Sequence, residues 1–124
     1  MRLEHTAYGT ASPYRTADGS EIRELMHPSQ HAVRRQSLAE AVIAPGAATL
    51  LHAHRRSEEV YHVVAGTGRM TLGGAVFQVG RGDTVVIRPG IAHRVENSGR
   101  GELRILCACT PAYSHEDTIV LQAG

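Results

Sequence analysis

The chain is divided into many short runs in which apolar and polar residues alternate, and glycine or proline turns separate these runs. A period of two is typical of strands, because successive side chains of an extended chain point to opposite faces of a sheet. No segment of any length has the period of an amphipathic helix. About nine short strands joined by tight turns predict an all-β fold, a sandwich or barrel of two antiparallel sheets.

We expect nine strands, in chain order, within residues 36–43, 48–54, 58–65, 69–72, 75–79, 84–87, 92–96, 102–109 and 117–121, with a further candidate at 20–26. Segment 20–26 fits a short strand or one helical turn, and we interpret it as an edge strand. The Val/Ile run at 84–87 indicates a strand that is buried on both faces. Residues 1–19 lack a sustained period and predict an irregular arm with a turn at Asp18-Gly19.

The bulk composition restricts the class of protein. The length of 124 residues is close to that of one domain, so we expect residues 20–124 to form a single domain. The net charge is +1 and no basic run exceeds two residues, which argues against nucleic acid as a partner. The absence of a long apolar run and of a signal-peptide pattern predicts a cytoplasmic protein with no membrane association. Cys107 and Cys109 are then expected to be free thiols.

Residues that could carry chemistry concentrate in two stretches, 46–66 and 82–97. His52 and His54 are two residues apart, so both project from one face of a strand, and His93 lies in the second stretch. Titratable groups inside an apolar barrel are costly unless a cation binds them, and imidazole is a common ligand of divalent transition metals. We therefore expect the three histidines to converge on one metal ion.

A carboxylate is available where the chain re-enters a strand after Arg55-Arg56-Ser57. Glu58 and Glu59 point to opposite faces, and both faces are largely apolar, so the period does not choose between them. Arg55 and Arg56 are candidates to receive an anionic substrate at the rim of the site, although a solvated loop is the simpler interpretation.

The first stretch resembles the first sequence motif of the cupin family, G-x5-H-x-H-x3or4-E-x6-G, at Gly46, His52, His54, Glu59 and Gly66. The fixed spacing of six residues before the last glycine favours Glu59. The second stretch resembles the second cupin motif, G-x5-P-x-G-x2-H-x3-N, at Gly82, Gly90, His93 and Asn97. Arg88 stands where that motif has proline, and Pro89 follows it, which affects the turn but not a ligand.

The resemblance implies a small, RmlC-like, single-domain cupin with a jelly-roll β-barrel. It implies that His52, His54, Glu59 and His93 bind one divalent transition metal, with iron, manganese, nickel, cobalt, copper and zinc all acceptable to these donors. Cupins often pair their N-terminal strands, so segment 20–26 also suggests a homodimer.

The same resemblance implies a metalloenzyme that acts on a small oxygen-rich or anionic molecule, as a dioxygenase, an isomerase or a lyase. A non-catalytic module that binds a sugar or carboxylate beside a structural metal is the alternative. A phosphomannose-isomerase-like domain is a further one.

Tyr61 and Glu40 are the candidate catalytic residues. Tyr61 shares a face with Glu59, so its hydroxyl either lies near the metal or belongs to a ring packed in the core. Glu40 would act as a base if its side chain faced the cavity. His62 lies on the face opposite Glu59, and we expect it to pack against the other sheet or at a subunit contact. The histidines of irregular segments are expected to be solvated: His5, His27, His31 and His115.

Overall fold

The computed structural model describes residues 4–122 and confirms the all-β prediction. Within that range it contains two antiparallel sheets and one 3-10 turn, with no α-helix. The strands are β1 (Tyr14–Arg15), β2 (Glu21–Met26), β3 (Ser37–Ile43), β4 (His52–His54), β5 (Glu58–Ala65), β6 (Thr67–Leu72), β7 (Ala75–Gly80), β8 (Thr84–Ile87), β9 (His93–Asn97), β10 (Leu103–Thr110) and β11 (Thr118–Val120). No helix among these residues is long and apolar enough to cross a membrane.

The two sheets enclose the core of the barrel. One has the strand order β1-β2-β3-β10-β5-β8, and the other has the order β11-β4-β9-β6-β7. Alternate residues of each strand point inward, as the period predicts, and β10 buries every second residue. The largest fully buried apolar side chains are Met70, Ile87, Leu103, Ile105, Val63 and Val95. Each contributes roughly 1.5–3 kcal/mol to folding by leaving water.

The inner face of β10 runs from the apolar part of the barrel to its polar part. Leu103 pairs with Ile43 at one end of the strand, and Cys109 lies between Ser37 and Glu59 at the other. The apolar end therefore supplies the packed core, and the end near Cys109 holds the polar residues described below.

Gly66, the last residue of the first motif, is required by the backbone. Its φ is +86°, and a Cβ there would lie 2.6 Å from the carbonyl oxygen of Glu102 and 2.9 Å from the Cα of Leu103. Any side chain would both strain the left-handed conformation and collide with β10.

The prediction that 84–87 is buried on both faces is wrong. This strand, β8, is the edge of the six-stranded sheet and pairs only with β5. Ile87 is buried, whereas Val86 is 54% exposed. A run of β-branched residues fits any pleated surface, including an edge strand with one solvated face, so composition alone did not reveal the edge.

The N-terminal arm is more ordered than its sequence predicts. Residues 8–10 form a 3-10 turn, and β1 pairs with the first residues of β2. Segment 20–26 is confirmed as a strand over Glu21–Met26, but Glu21 and Ile22 are not at an edge because β1 pairs with them. The Asp18-Gly19 turn is confirmed, with Gly19 at φ +88°. The Leu50 amide donates to the Asp18 carbonyl at 2.7 Å and so fixes the turn against the barrel.

Candidate metal centre

Three histidines converge at the polar end of the barrel, as their spacing predicts. His52 and His93 face each other across the neighbouring strands β4 and β9, and their ring centroids are 4.1 Å apart. His54 follows on the same face of β4, 5.3 Å and 5.4 Å from the other two centroids. One ring nitrogen of each histidine lies within 4.8 Å of the others, so the three could hold one metal ion.

Glu59 reaches the histidines from the opposite sheet. Its Oε1 atom is 3.1 Å from His54 Nε2 and 3.6 Å from His93 Nε2, and the side chain is buried. Glu58 faces outward and is exposed. The strand period left open whether Glu58 or Glu59 faces the histidines. The structure places Glu59 there, as the motif spacing indicated.

Backbone carbonyls orient two of the imidazoles. His52 Nδ1 lies 2.7 Å from the Leu50 oxygen, and His93 Nδ1 lies 2.9 Å from the Ile91 oxygen. A carbonyl only accepts, so each Nδ1 must donate its proton. In the neutral ring the other nitrogen, Nε2, then has a free lone pair directed into the barrel, which is the arrangement of a metal-ligating histidine.

A hydroxyl orients the third imidazole in the same way. His54 Nδ1 lies 3.1 Å from Thr118 Oγ1, and that hydroxyl donates its own proton to the Ser114 carbonyl at 2.9 Å. Thr118 must therefore accept from His54, and His54 also presents Nε2 to the interior. A hydrogen bond from this Nε2 to Glu59 requires a second proton on the ring.

The donor set fits a divalent cation. His93 Nε2 is fully buried and has no hydrogen-bond partner among the described residues, because the Glu59 oxygen at 3.6 Å is too far away. An unsatisfied buried polar atom costs roughly 1–3 kcal/mol. The Nε2 lone pairs of the three neutral histidines and the Glu59 carboxylate are all acceptors, so they cannot bond to one another. A positive charge between them satisfies all four, and a divalent metal supplies that charge.

The electrostatics of the four candidate donors follow from the same contacts. Burial by itself would raise the pKa of Glu59, but the hydrogen bond from His54 and the charges of His54 and His93 outweigh it and lower that pKa to about 2. Burial lowers the pKa of His54, but Glu59 outweighs burial and the net pKa is raised. The pKa of His52 is lowered by burial and by His93. A metal that binds His54 Nε2 would therefore compete with the proton that Glu59 favours on that ring.

Three further side chains surround Glu59 on the inner wall: Tyr61, Cys107 and Cys109. The Tyr61 ring centroid is 6.0 Å from that of His93, and burial followed by the charge of Glu59 raises the pKa of its hydroxyl. The Cys109 thiol donates to Glu59 Oε2 at 3.3 Å, and burial raises its pKa. Both cysteines are free, as predicted. The raised pKa values keep the Tyr61 hydroxyl and both thiols protonated.

Several predicted site residues do not reach the centre. Glu40 was a candidate base, but its carboxylate lies on the outer face of β3, where it accepts from Tyr8 at 2.5 Å and Arg104 at 3.2 Å. Arg55 and Arg56 do not line the cavity, and the Arg56 side chain is 81% exposed. The structure thus gives no support to an arginine rim or to a Glu40 base.

Of the remaining histidines, His5 and His115 are exposed, as expected, whereas His27, His31 and His62 differ from expectation in detail. His62 lies on the face opposite Glu59, as predicted. Its Nδ1 atom hydrogen-bonds to Thr84 Oγ1 at 2.8 Å, so the ring is not packed against the other sheet. His31 is buried, and its Nδ1 accepts from the His27 amide at 2.9 Å. His27 in turn contacts the Tyr113 carbonyl at 2.8 Å. His27 and His31 therefore hydrogen-bond within the segment that follows β2, and His27 connects that segment to Tyr113.

Two carboxylates in the site were not predicted. Asp18, in the N-terminal turn, has its Oδ2 atom 3.3 Å from His52 Nε2. Glu24 on β2 faces the cavity; its Oε1 accepts from the Tyr14 hydroxyl at 2.6 Å, and its buried Oε2 has no partner among the described residues. The sequence did contain a signal for Glu24, which shares a face with Ile22 and Met26 on the predicted strand. No signal indicated where the arm would place Asp18.

A small cavity beside the histidines is next to a larger outer pocket. The inner cavity has a volume of about 30 Å³, enough for about one water-sized group. The outer pocket has a volume of about 270 Å³ and is bounded by Tyr14, His27 and His115. Glu24 and Tyr113 line both spaces and form the wall between them. The inner cavity contains three carboxylates and, within residues 4–122, no arginine.

Two antiparallel sheets that enclose three histidines and a glutamate define a double-stranded β-helix protein with a candidate metal centre. The model of the cupin domain family matches residues 39–109. This chain belongs to the cupin family and is a small single-domain member of RmlC-like architecture.

Related sequences do not assign a reaction. An uncharacterized protein of Methanocaldococcus jannaschii is 48% identical over 122 residues, which is 98% of each chain. A mannose-1-phosphate guanylyltransferase of Salmonella typhimurium is 30% identical over 103 residues, or 79% of this chain. Those residues are only 22% of the guanylyltransferase, so this chain spans about a fifth of that protein.

Solved structures share the fold at low identity. A Lactobacillus farciminis oxalate decarboxylase in complex with formate has a TM-score of 0.78 and 24% identity, over 91% of this chain and 34% of that one. A Streptomyces protein solved with uridine has a TM-score of 0.80 and 15% identity, over 98% and 93% of the two chains. These similarities support the architecture alone.

Proposed function

We propose that this cupin is a metal-dependent isomerase or lyase that acts on a small, uncharged, hydroxylated molecule. The observation that carries the proposal is the convergence of three inward Nε2 atoms and Glu59, with the buried Nε2 of His93 left without a hydrogen-bond partner from residues 4–122. His52, His54, His93 and Glu59 would hold the metal. Iron, manganese, nickel, cobalt, copper and zinc are all compatible with these nitrogen and oxygen donors.

The reaction class is inferred from the groups next to the donors. A bound divalent metal supplies Lewis acidity towards a substrate oxygen. Glu24 Oε2, which has no hydrogen-bond partner among the residues that the structure describes, would accept a proton from the substrate as a general base. The Tyr61 hydroxyl remains protonated and can donate a hydrogen bond. Proton removal by Glu24 from the carbon next to a carbonyl group, whose oxygen a bound metal would polarise, is the first step shared by isomerisation and elimination. Isomerisation is completed when a proton returns to the neighbouring carbon, and elimination when a hydroxyl group leaves from the β-carbon as water.

The charge of the cavity selects among substrate classes. Asp18, Glu24 and Glu59 line it, and no arginine from residues 4–122 does. An anion would meet these carboxylates, and even a divalent metal would not give the site a net positive charge. Hydroxyl groups, in contrast, find acceptors there. This favours the oxygen-rich substrate over the anionic one, and it disfavours a phosphomannose-isomerase-like function, which requires a phosphate site.

The two spaces indicate how such a molecule would bind. The inner cavity, about 30 Å³, accommodates the reacting group alone. The outer pocket of about 270 Å³ approaches the lower limit of ligand pockets, roughly 300 Å³, and would hold the remainder. Glu24 and Tyr113 stand between the two parts of the substrate.

The second candidate is a non-catalytic module that binds a small ligand beside a structural metal. The size of the inner cavity favours it, because a nearly filled site suits a metal that stays enclosed by protein donors.

Solvent-deuterium exchange distinguishes the two candidates. Protein purified without chelator or affinity metal would be analysed for bound metal and then incubated in deuterated water with neutral sugars, polyols and nucleosides. We expect one metal per chain and deuterium incorporation into at least one compound. The exchange should disappear in Glu24→Gln, whereas Glu21→Gln, an exposed position of the same strand, should retain it. Binding without exchange would favour the module, and oxygen uptake that survives Glu24→Gln would indicate a dioxygenase.

A further inference from the structure

The N-terminal turn holds one carboxylate rigidly against the metal centre. Asp18 Oδ1 accepts three hydrogen bonds, from the Thr16 hydroxyl at 2.6 Å, the Ser20 amide at 2.9 Å and the Ser20 hydroxyl at 2.6 Å. The Leu50 amide donates to the Asp18 carbonyl, which ties the turn to the residues just before His52. With Oδ1 saturated in this way, Oδ2 is the atom presented to the site.

Oδ2 faces a nitrogen that carries no hydrogen when the His52 ring is neutral. It lies 3.3 Å from His52 Nε2, and His52 is 1% exposed. His52 Nδ1 donates to the Leu50 carbonyl, so the neutral ring has a bare lone pair at Nε2. A carboxylate oxygen and an imidazole lone pair at this separation repel each other. A cation that both atoms contact removes the repulsion.

We propose that Asp18 is a fifth protein donor of the metal centre, brought to it by the N-terminal arm. The inference rests on metal binding by the three histidines, as proposed above, and adds a residue from outside both cupin motifs. Asp18 and Glu59 together neutralise a divalent ion. In a six-coordinate site, five protein donors leave about one position for an external ligand.

The donor position also assigns a role to the arm. The arm is attached to the barrel through β1 and through the Leu50–Asp18 hydrogen bond. Loss of the Asp18 carboxylate should therefore change the affinity and the coordination of the metal while leaving the number of bound ions at one.

Cobalt binding to the full chain tests the inference without any substrate. Metal-free wild type, Asp18→Asn and the control Asp83→Asn would be titrated with Co²⁺ against a chelator, and the visible spectrum of each complex recorded. Asp83 is a matched control because it also bonds within a tight turn, to the Gly80 amide at 2.8 Å, but does not line the cavity. We expect Asp18→Asn to weaken cobalt binding at least about tenfold, the lower end of losses found for metal-site partners.

The visible spectrum of bound cobalt distinguishes a side chain that coordinates the metal from a charge that acts on it at a distance. If Asp18 is a donor, the cobalt spectrum of Asp18→Asn differs in intensity from that of the wild type, and Asp83→Asn leaves both affinity and spectrum unchanged. In the wild type, cobalt should also shift the Asp18 carboxyl resonance strongly, a measurement that needs no variant to fold. Equal affinity and identical spectra of wild type and Asp18→Asn would overturn this inference alone. A wild type that binds no cobalt would overturn the proposed function as well.

Discussion

Replacement of Glu59 by glutamine should destabilise the metal-free protein, whereas replacement of its neighbour Glu58 should not. The two residues are adjacent on β5, but Glu59 is buried against His54 and Glu58 faces outward. Glu59→Gln keeps the size of the side chain and removes its charge. The pair of variants thus isolates the interaction of one buried carboxylate with the histidines.

The magnitude follows from the pKa of Glu59. Contacts with His54 and His93, acting against burial, lower it from 4.5 to about 2. One pKa unit corresponds to about 1.4 kcal/mol, so the charged form is stabilised by about 3 kcal/mol. Because the folded-state pKa is depressed, this contribution is complete above the unfolded pKa of 4.5 and is lost as the pH falls through about 2. Glu59→Gln should therefore cost about 3 kcal/mol near neutral pH.

Urea unfolding in the presence of a chelator measures this difference. The free energy of unfolding should fall by about 3 kcal/mol in Glu59→Gln and by less than about 0.5 kcal/mol in Glu58→Gln, the usual effect of surface substitutions. Between pH 4.5 and 2 the gap between wild type and Glu59→Gln should shrink. Equal stability of the wild type and Glu59→Gln at neutral pH would refute the ion pair and the pKa argument.

Three further predictions concern the reaction, the backbone and the assembly. Glu24→Gln should retain one metal per chain but lose deuterium exchange into substrate, measured by metal analysis and NMR; retained exchange would exclude Glu24 as the base. Gly66→Ala should lower the free energy of unfolding by at least about 2 kcal/mol, since its φ is +86° and a Cβ would meet Glu102; a neutral result in urea would contradict the backbone argument. The homodimer remains a prediction. Leu38 and Val86 are exposed and lie in one cross-strand row with Val60, which suggests the outer face of the six-stranded sheet as the dimer surface. Light scattering should give twice the chain mass for the wild type and a monomer for Val86→Arg, and a monomeric wild type would contradict the dimer.

The sequence predicted the parts of the site that depend on local geometry. His52 and His54 share a face because strand side chains repeat every two residues, and neither position depends on distant packing. The spacing to Gly66 selected Glu59 over Glu58, and the structure shows why that spacing is constrained. Gly66 must occur where the chain passes β10 too closely for any side chain.

The sequence did not predict those features of the site and the fold that depend on long-range packing. Both faces of the 36–43 strand contain apolar residues, so the period did not indicate that Glu40 points outward while Ala39 and Ala41 line the cavity. Asp18 lies in a turn whose position depends on a hydrogen bond from Leu50. The Asp-Gly pair predicts that a turn forms, but it does not predict which distant residue the turn contacts. The same limit applies to β8, whose edge position is a property of strand order.

Anomalous diffraction from crystals of protein purified without affinity metal tests the central claim most directly. We predict one strong anomalous peak per chain, enclosed by the Nε2 atoms of His52, His54 and His93 and by Glu59 Oε1. Data on both sides of an absorption edge would identify the element. An anomalous peak located elsewhere in the chain, or three histidines that hydrogen-bond only to protein and water around a region without a peak, would contradict the claim that this barrel is built to bind a metal.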